Sequence, residues 1–349
     1  MTETDSNTDL FFFSIIVCCY NSSKLIESTL KYISRLVFDA NAYPFEIIIV
    51  DNNSNDDTVS KADHVWRKIN SQIPFKIVRE SKQGLSFARN RGVSESKGTY
   101  IVFCDDDNWL QPGYLKEAYH ILKSDAMIGM LGGVGEPESD AALPDWFDSH
   151  SLAYAVGKQH KADADISKIK GYVYGAGCII KKSLILELSR IGFKNVLTDR
   201  LKRNSITGGG DNELGYAVVI LGYKVFYSEN LKFKHFISKN RLTRKYLTKF
   251  KKGSIYTSTA VKTYERYVFS NDLSYQKLTY CNSVGKNIKD IIKISRDFIF
   301  SKITFFNYAI LLAVYFNRMV YYFKCRKYDI EIFKKVKSNI ELIEKYKNG

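Results

Sequence analysis

Apolar runs punctuate the first third of the chain, and each one stops at a polar cluster. Phe12–Cys19 is nearly uninterrupted and predicts a strand buried on both faces, closed by Tyr20-Asn21-Ser22-Ser23. Ser22 or Ser23 is placed to cap the helix that follows, whose inner face would be Leu25, Ile26, Leu30, Ile33 and Leu36-Val37. Glu46–Val50 predicts a second buried strand ending at Asp51, and a helix is expected near 57–70. A short strand at Phe75–Arg79, a helix starting over Ser86–Ser94 and a buried strand at Tyr100–Cys104 complete the series, the last ending at Asp105.

Strands alternating with helices predict a parallel sheet covered on both faces. Ligands bind such sheets outside the carboxyl ends of the strands. Three polar clusters sit there: Tyr20-Asn21, Asp51–Asp57 and Asp105–Asn108. Segments far apart in sequence should therefore meet in one crevice. Beyond residue 110 the pattern turns mixed. Gly171–Lys181 reads as a tight loop and a strand, Asn212–Leu221 as a helix opened by Gly208-Gly209-Gly210-Asp211, and Lys224–Tyr227 as a last short strand. From about 240 the chain is helical, aromatic and basic.

Charge sharpens this division. Residues 232–349 carry 26 Lys/Arg against 8 Asp/Glu, whereas residues 1–231 carry 26 against 29. The whole excess behind the net charge of +15 lies in the last third, which points to a polyanionic partner. The six cysteines form no CxxC pair, and four lie in apolar runs. They read as reduced, buried thiols of a cytoplasmic protein. The polar, acidic start Met-Thr-Glu-Thr-Asp-Ser does not read as a signal peptide.

Chemistry concentrates in three places. Asp105-Asp106-Asp107 crowds carboxylates that repel one another unless a cation shares them. Oxygen donors at that density suit Mg²⁺ or Mn²⁺ completed by substrate phosphates; the plain alternative is a solvated helix-capping turn. Asp51–Thr58 resembles a calcium loop but has Asp56 where the glycine belongs and Ala62 where the glutamate belongs. Asp51 is better read as a hydrogen-bonding partner of a base or ribose, with Asp56 or Asp57 starting the helix. Asp211 follows three glycines at a helix start, which favours its ionised form and lets a ligand approach closely; it could take a proton from an attacking hydroxyl. Its alternative is an ordinary N-cap. His235, between aromatics, reads as packed core unless the fold brings it to Asp107. No phosphate-binding GxxxxGK[ST] loop, zinc spacing or GxSxG occurs.

Six segments in order resemble family-2 glycosyltransferases with the GT-A fold: Ser14–Asn21, Val50–Thr58, Gln83–Gly92, Tyr100–Trp109, Gly175–Lys182 and Gly208–Leu214, over about residues 12–236. The resemblance implies an α/β, Rossmann-like nucleotide-diphospho-sugar transferase with a mixed sheet and flanking helices. A disordered tail (1–9), a GT-A domain (10–236) and a basic, aromatic helical region (237–349) are the expected divisions. By the same resemblance Cys19, Tyr20, Asn21, Asp51, Asn53, Gly84, Arg89, Asp105 and Asp106 would hold the nucleotide-sugar. Asp105 and Asp107 look like the DxD pair, with Asp107 the more direct metal ligand and His235 a third candidate. Asp211 matches the base of an inverting single displacement, helped by Mn²⁺ or Mg²⁺. Family members often carry Glu immediately before the base, where this chain has Gly210. Trp146, before Phe147, falls where the family builds an acceptor wall, although local packing explains it equally; Gly177, Arg241 and Tyr246 are further acceptor-side candidates.

The tail offers a membrane reading. Phe298–Phe323 is apolar and aromatic, but its longest uncharged run, Ile303–Asn317, is shorter than the ~20 residues of a spanning helix. It reads as a helix in the interface or a hairpin partner, with Lys/Arg flanks suited to an anionic surface at the inner face of the membrane. The expected activity is transfer from a nucleotide-sugar, UDP by default, to a glycan or lipid-linked acceptor. A nucleotidyltransferase would need a basic phosphate loop after the first strand, and none is there. A nucleic-acid binder using the basic tail would leave the strand-end carboxylates unexplained.

Overall fold

A computed structural model describes residues 11–37, 39, 41–197, 208–274, 280–324 and 326–349; the expected 1–9 tail lies outside them. Four strands open the fold: β1 (Phe11–Cys19), β2 (Phe45–Asp51), β3 (Phe75–Arg79) and β4 (Gly98–Asp105). All four run parallel, in the order β3-β2-β1-β4. Helices α1 (Ile26–Ile33), α2 (Thr58–Ile69) and α3 (Leu85–Glu95) connect them. The apolar runs are buried on both faces because alternate residues feed two cores. Phe13, Ile15, Val17 and Cys19 face one, and Ile16 the other, with Ile48, Val50, Ile101 and Phe103.

The sheet then departs from a purely parallel pattern. β5 (Asn108–Leu110), α4 (Tyr114–Ser124), β6 (Ile128–Glu138), β7 (Ala164–Asp165), β8 (Ile179–Lys181), α5 (Lys182–Arg190), α6 (Gly210–Ile220) and β9 (Lys224–Phe236) follow. β8 inserts antiparallel between β4 and β6, and the order continues β6-β9-β5, giving a mixed sheet. Two expectations need correcting. β6 went unread because its glycines dilute the apolar signal. They are there for contact: a Cβ on Gly133 would fall 1.8 Å from the carbonyl oxygen of Leu231 on β9. β9 is far longer than Lys224–Tyr227, because its second half pairs with β6 on one side and β5 on the other.

The expected cap of α1 is also absent. The residue before that helix is Leu25, with no side-chain cap. Ser22 instead donates its hydroxyl to Asp106 and receives no capping duty.

Past β9 the chain is helical: α7 (Arg244–Ser270), α8 (Tyr280–Ile299), α9 (Phe305–Lys324) and α10 (Arg326–Asn348). Thr243 caps α7, its Oγ1 accepting from the N–H of Tyr246 at 3.2 Å. α7 and α10 pack on α6 through Tyr216, Ala217, Ile220, Tyr264, Val336 and Ile340. The Phe298–Phe323 stretch is not one helix. It breaks at Ser301, which takes φ 54°, and folds back as an α8–α9 hairpin. Among the described residues no helix is long and apolar enough to cross a membrane.

Candidate active site

Strand register builds the floor of the crevice. Cys19 pairs with Asp51, and Cys18 with Asp105, so the carboxyl ends of β2, β1 and β4 lie side by side. The loops above are tied together. Asn21, at φ 54°, accepts at Oδ1 from the N–H of Asn55 (2.9 Å) and donates its own N–H to Ser54 Oγ (3.0 Å). Asp51 is buried and accepts at Oδ1 from the N–H of Ser54 at 3.1 Å, while Arg79 stands 3.9 Å from its other oxygen. Asn53, also at positive φ, accepts from Arg79 at 3.0 Å. Tyr20 is exposed at the rim, and Cys19 is buried, its thiol pushed well up by that burial. The thiols of Cys18 and Cys178 are likewise pushed up to about 12, burial leading in each. The side chains of Cys281 and Cys325 lie outside the described residues.

Sequence reasoning missed Asn52. This buried amide donates to the carbonyls of Glu80 (3.2 Å) and Lys82 (2.7 Å) and accepts the N–H of Gly84 at 2.8 Å. It fixes the loop that starts α3, and hence Gly84 and Arg89. Arg89 lies over the Phe103 ring at 4.9 Å and 3.6 Å from Asp105 Oδ1. Asp105 therefore faces a guanidinium, and Asp106 receives the Ser22 hydroxyl.

Asp107 meets a different set. β5 runs antiparallel to β9 with Asn108 opposite His235, which carries the imidazole to Asp107. His235 Nε2 is 3.3 Å from Asp107 Oδ2, and Arg241 Nη1 is 2.9 Å from the same oxygen. Burial opposes the charge of Arg241, but Asp107 and Tyr246 hold it firmly protonated. Its guanidinium lies 5.7 Å from the Tyr246 ring, which stacks on Tyr154 at 6.1 Å.

These donors fit a divalent cation. His235 and Asp107 are nearly buried and converge at a spacing close to the ~3 Å between neighbouring ligands of an octahedral ion with ~2.1 Å bonds. The other ring nitrogen, Nδ1, is buried with no hydrogen-bond partner among the described residues. Among those residues no three carboxylate, imidazole or thiol groups form a cluster, so phosphate oxygens would have to complete the shell.

Asp211 lies in the first turn of α6, not at its cap, which is Gly209. Its Oδ2 accepts the backbone N–H of Gly175 at 2.8 Å, and Oδ1 that of Asn212 at 3.0 Å. A Cβ on Gly175 would stand 3.2 Å from Asp211 Cβ and 3.3 Å from Arg89 Nη2. Asp105, Arg89, Gly175 and Asp211 thus form one wall. The glutamate that might have replaced the one absent at Gly210 is occupied elsewhere. Glu213 is buried, accepting from the N–H groups of Val196 and Leu197 and from Tyr264 Oη.

The remaining candidates divide. Gly177, at φ 67°, accepts at its carbonyl from Tyr114 Oη and serves the core. Phe147 is buried, while Trp146 packs on Phe306 of α9 at 5.5 Å. His150 beside it is 2.9 Å from Asn307 Oδ1 and accepts from Lys251 Nζ at 3.1 Å, joining this wall to α7 and α9.

Comparison with known proteins bears on the family and the fold. The model of glycosyl transferase family 2 matches residues 14–188, half of the chain. Among curated relatives, poly(ribitol-phosphate) beta-N-acetylglucosaminyltransferase TarP of Staphylococcus aureus is 26% identical over 186 residues, 52% of this chain and 52% of that protein. Putative glycosyltransferase EpsH of Bacillus subtilis is 31% identical over 104 residues, 30% of this chain and 28% of that protein. The chain thus spans about half or less of the relatives it matches. Among solved structures, mannosyltransferase PcManGT from Pyrobaculum calidifontis, in complex with GDP-Man and Mn²⁺, aligns with a TM-score of 0.56 at 15% identity, covering 92% of this chain and 89% of that one. S. aureus TarS 1-349 in complex with UDP aligns with a TM-score of 0.52 at 15% identity, covering 95% and 90%. At those identities the likeness is one of fold, and the fold is GT-A. This chain belongs to glycosyl transferase family 2.

Proposed function

We propose that the protein transfers a sugar from a nucleotide diphosphate donor, UDP-linked by default, to a hydroxyl of a glycan or lipid-linked acceptor, with inversion at the anomeric carbon. The observation that carries this reading is the shared wall. Asp211, aimed by the Gly175 N–H, stands across Arg89 from the strand-end carboxylate Asp105. A proton acceptor and a nucleotide-diphosphate cradle thereby border one space. TarS in complex with UDP and PcManGT in complex with GDP-Man support the donor class.

In this mechanism Asp51 and Asn53 hold the nucleoside, with Cys19, Tyr20 and Asn21 forming its rim. Asn52 fixes the loop that presents Gly84, and Arg89 supplies positive charge beside the phosphates. Asp107 and His235 would hold the divalent ion, which supplies charge stabilisation to the departing diphosphate. Arg241 adds a second cation on that side. Asp211 takes the proton of the acceptor hydroxyl, and the acceptor oxygen attacks from the face opposite the leaving group. Holding both substrates against one wall contributes the rest.

Residues 10–236 form the transferase unit of this reading, and 237–349 a platform at an anionic membrane surface. Support comes from the turn between α8 and α9. Ile299, Phe300 and Phe305 are 74%, 67% and 69% exposed, beside Arg296 and Lys302. Burying three such side chains in a lipid interface is worth roughly 4.5–9 kcal/mol at full burial. Each neighbouring Lys or Arg adds about 1 kcal/mol at an anionic surface. The next residue, Phe306, packs on Trp146 and under Arg244, which would hold the acceptor side close to the lipid.

The reading is tested by nucleotide release from UDP-, GDP- and dTDP-sugars with Mn²⁺, in wild type, Asp107→Ala and Asp211→Asn. Slow release from one donor by wild type, lost in Asp107→Ala, is expected. Asp211→Asn should keep donor binding and lose transfer. No release and no nucleotide binding by wild type would end the proposal.

A further inference from the structure

Lys170 has no part in the mechanism above, yet it lies beside the proposed base. It closes a turn, its N–H donating to the carbonyl of Ile166 at 2.9 Å, and Gly171 at φ 77° redirects the chain toward Gly175. Its Nζ is 4.5 Å from the centre of the Tyr172 ring and 4.2 Å from that of Tyr174. It donates to Gln159 Oε1 at 2.8 Å. The same oxygen accepts the N–H of Tyr174 at 2.9 Å, and Gln159 Nε2 donates to the carbonyl of Gly133 at 2.9 Å. The amide is therefore clamped, with its oxygen aimed at the ammonium.

What this half-buried cation lacks is a direct ion pair. Among the described residues its contacts are an amide and two rings, and the one carboxylate acting on it is Asp211, through space. Burial pushes both phenols up, helped next by Asp211 at Tyr172 and by Tyr172 and then Asp211 at Tyr174, so neither supplies a negative charge. Burial also lowers the Lys170 ammonium to about 8, against the pull of Asp211. A half-buried cation with no anion in direct contact, in an active-site wall, is placed for a ligand.

We propose that Lys170, framed by Tyr172 and Tyr174, is an acceptor subsite for an anionic group, a phosphate or carboxylate carried by the acceptor near the hydroxyl it presents. The assignment to the acceptor side rests on Asp211 being the base. Tyr174 adjoins Gly175, whose N–H aims Asp211, whereas the nucleoside-side residues Asp51 and Asn53 lie two strands beyond β4. An anion at Nζ would supply the direct ion pair and fix the acceptor's orientation relative to the base. A purely structural lysine would serve only to clamp Gln159.

The full chain is treated with limiting N-hydroxysuccinimidyl acetate at pH 8, and acetylated lysines are mapped by peptide mass spectrometry. Inorganic phosphate, glucuronate, or chloride at equal ionic strength is added in parallel. Lys170 should be modified early, and phosphate or glucuronate should slow it severalfold where chloride does not. Which of the two protects identifies the group. Equal rates in all three would overturn the subsite, and protection by UDP with Mn²⁺ alone would overturn its placement on the acceptor side. Phosphate binding followed by ³¹P line width should survive in Lys170→Arg and vanish in Lys170→Met; loss of neither would also overturn it. Calorimetry with UDP separates the two readings. A wild type that binds no nucleotide defeats the transferase proposal, while the protection result still judges Lys170 as an anion site.

Discussion

The backbone N–H of Gly175 donates to Oδ2 of Asp211 at 2.8 Å, so a peptide group rather than a side chain aims the proposed base. That arrangement leaves a side chain at 175 little room. A Cβ there would press on both Asp211 and Arg89. Gly175→Ala should cut sugar transfer about tenfold, less than the ~100-fold cost of a full ångström of misplacement, because the neighbours shift by only a few tenths of an ångström; nucleotide affinity should fall by a smaller factor, through Arg89. Unaltered turnover in steady-state kinetics would show that the contact does not aim the base.

His235 Nε2 and Asp107 Oδ2 share one point of approach. His235→Ala should weaken Mn²⁺ binding in the presence of UDP, read by electron paramagnetic resonance. The loss should at least match the roughly tenfold to hundredfold cost of losing a hydrogen bond to a ligand. An unchanged Mn²⁺ affinity would return His235 to the role of a packed core residue.

Asn52 satisfies three backbone groups from a buried position. Asn52→Leu strands those groups and should cost about 1–3 kcal/mol in urea unfolding, with weaker UDP binding because Gly84 and Arg89 lose their anchor. A stable variant with normal UDP affinity would mean that the loop is held by other contacts.

The exposed aromatic turn makes a separable prediction. The double variant Phe300→Ser, Phe305→Ser should lose sedimentation with vesicles containing phosphatidylglycerol, while nucleotide release from a soluble donor stays near wild type. Raised salt should weaken the wild type's attachment, because basic residues flank the turn. Equal sedimentation of wild type and variant would place any lipid contact elsewhere.

Burial holds the thiols of Cys18, Cys19, Cys104 and Cys178 far above the ordinary cysteine range. Since the thiolate is the reactive form, mass mapping after iodoacetamide at pH 8 should find Cys19, Cys104 and Cys178 unmodified until denaturant is added, and Cys18, which keeps some exposed surface, modified more slowly than a free thiol. Rapid labelling of Cys18 in the native protein would contradict the packing at the end of β1.

The legible parts of the fold were those where one signal dominated. β1, β2 and β4 are apolar runs with polar ends, buried on both faces, and β3 is a shorter, half-buried run at the sheet edge. β6 carries Gly129, Gly132, Gly133 and Gly135, which look like loop residues until the close approach of β9 is seen. The second half of β9 alternates Lys232, Phe233, Lys234 and His235, and only its two neighbours make it a strand. Asp51, Asp105, Asp107 and Asp211 could be named because carboxylates after strands and glycines are conspicuous. Arg241 as partner of Asp107 needed the turn after β9. Lys170 left no trace, because a turn and Gly171 at φ 77° bring it to Tyr172 and Tyr174, and its neighbours Gln159 and Asp211 come from other parts of the chain.

Glu213 gives the helical region a meaning beyond attachment. Its carboxylate is buried between the 196–197 loop and Tyr264 of α7, so the transferase core contains a charge whose shelter comes from the far end of the chain. Tyr216, Ala217 and Ile220 depend on α7 and α10 for the same shelter. A version cut after β9 would carry a bare apolar face around a half-solvated acid. The two halves must therefore be inherited together: the tail is no interchangeable adaptor, and swapping it for another relative's would require rewriting α6 as well.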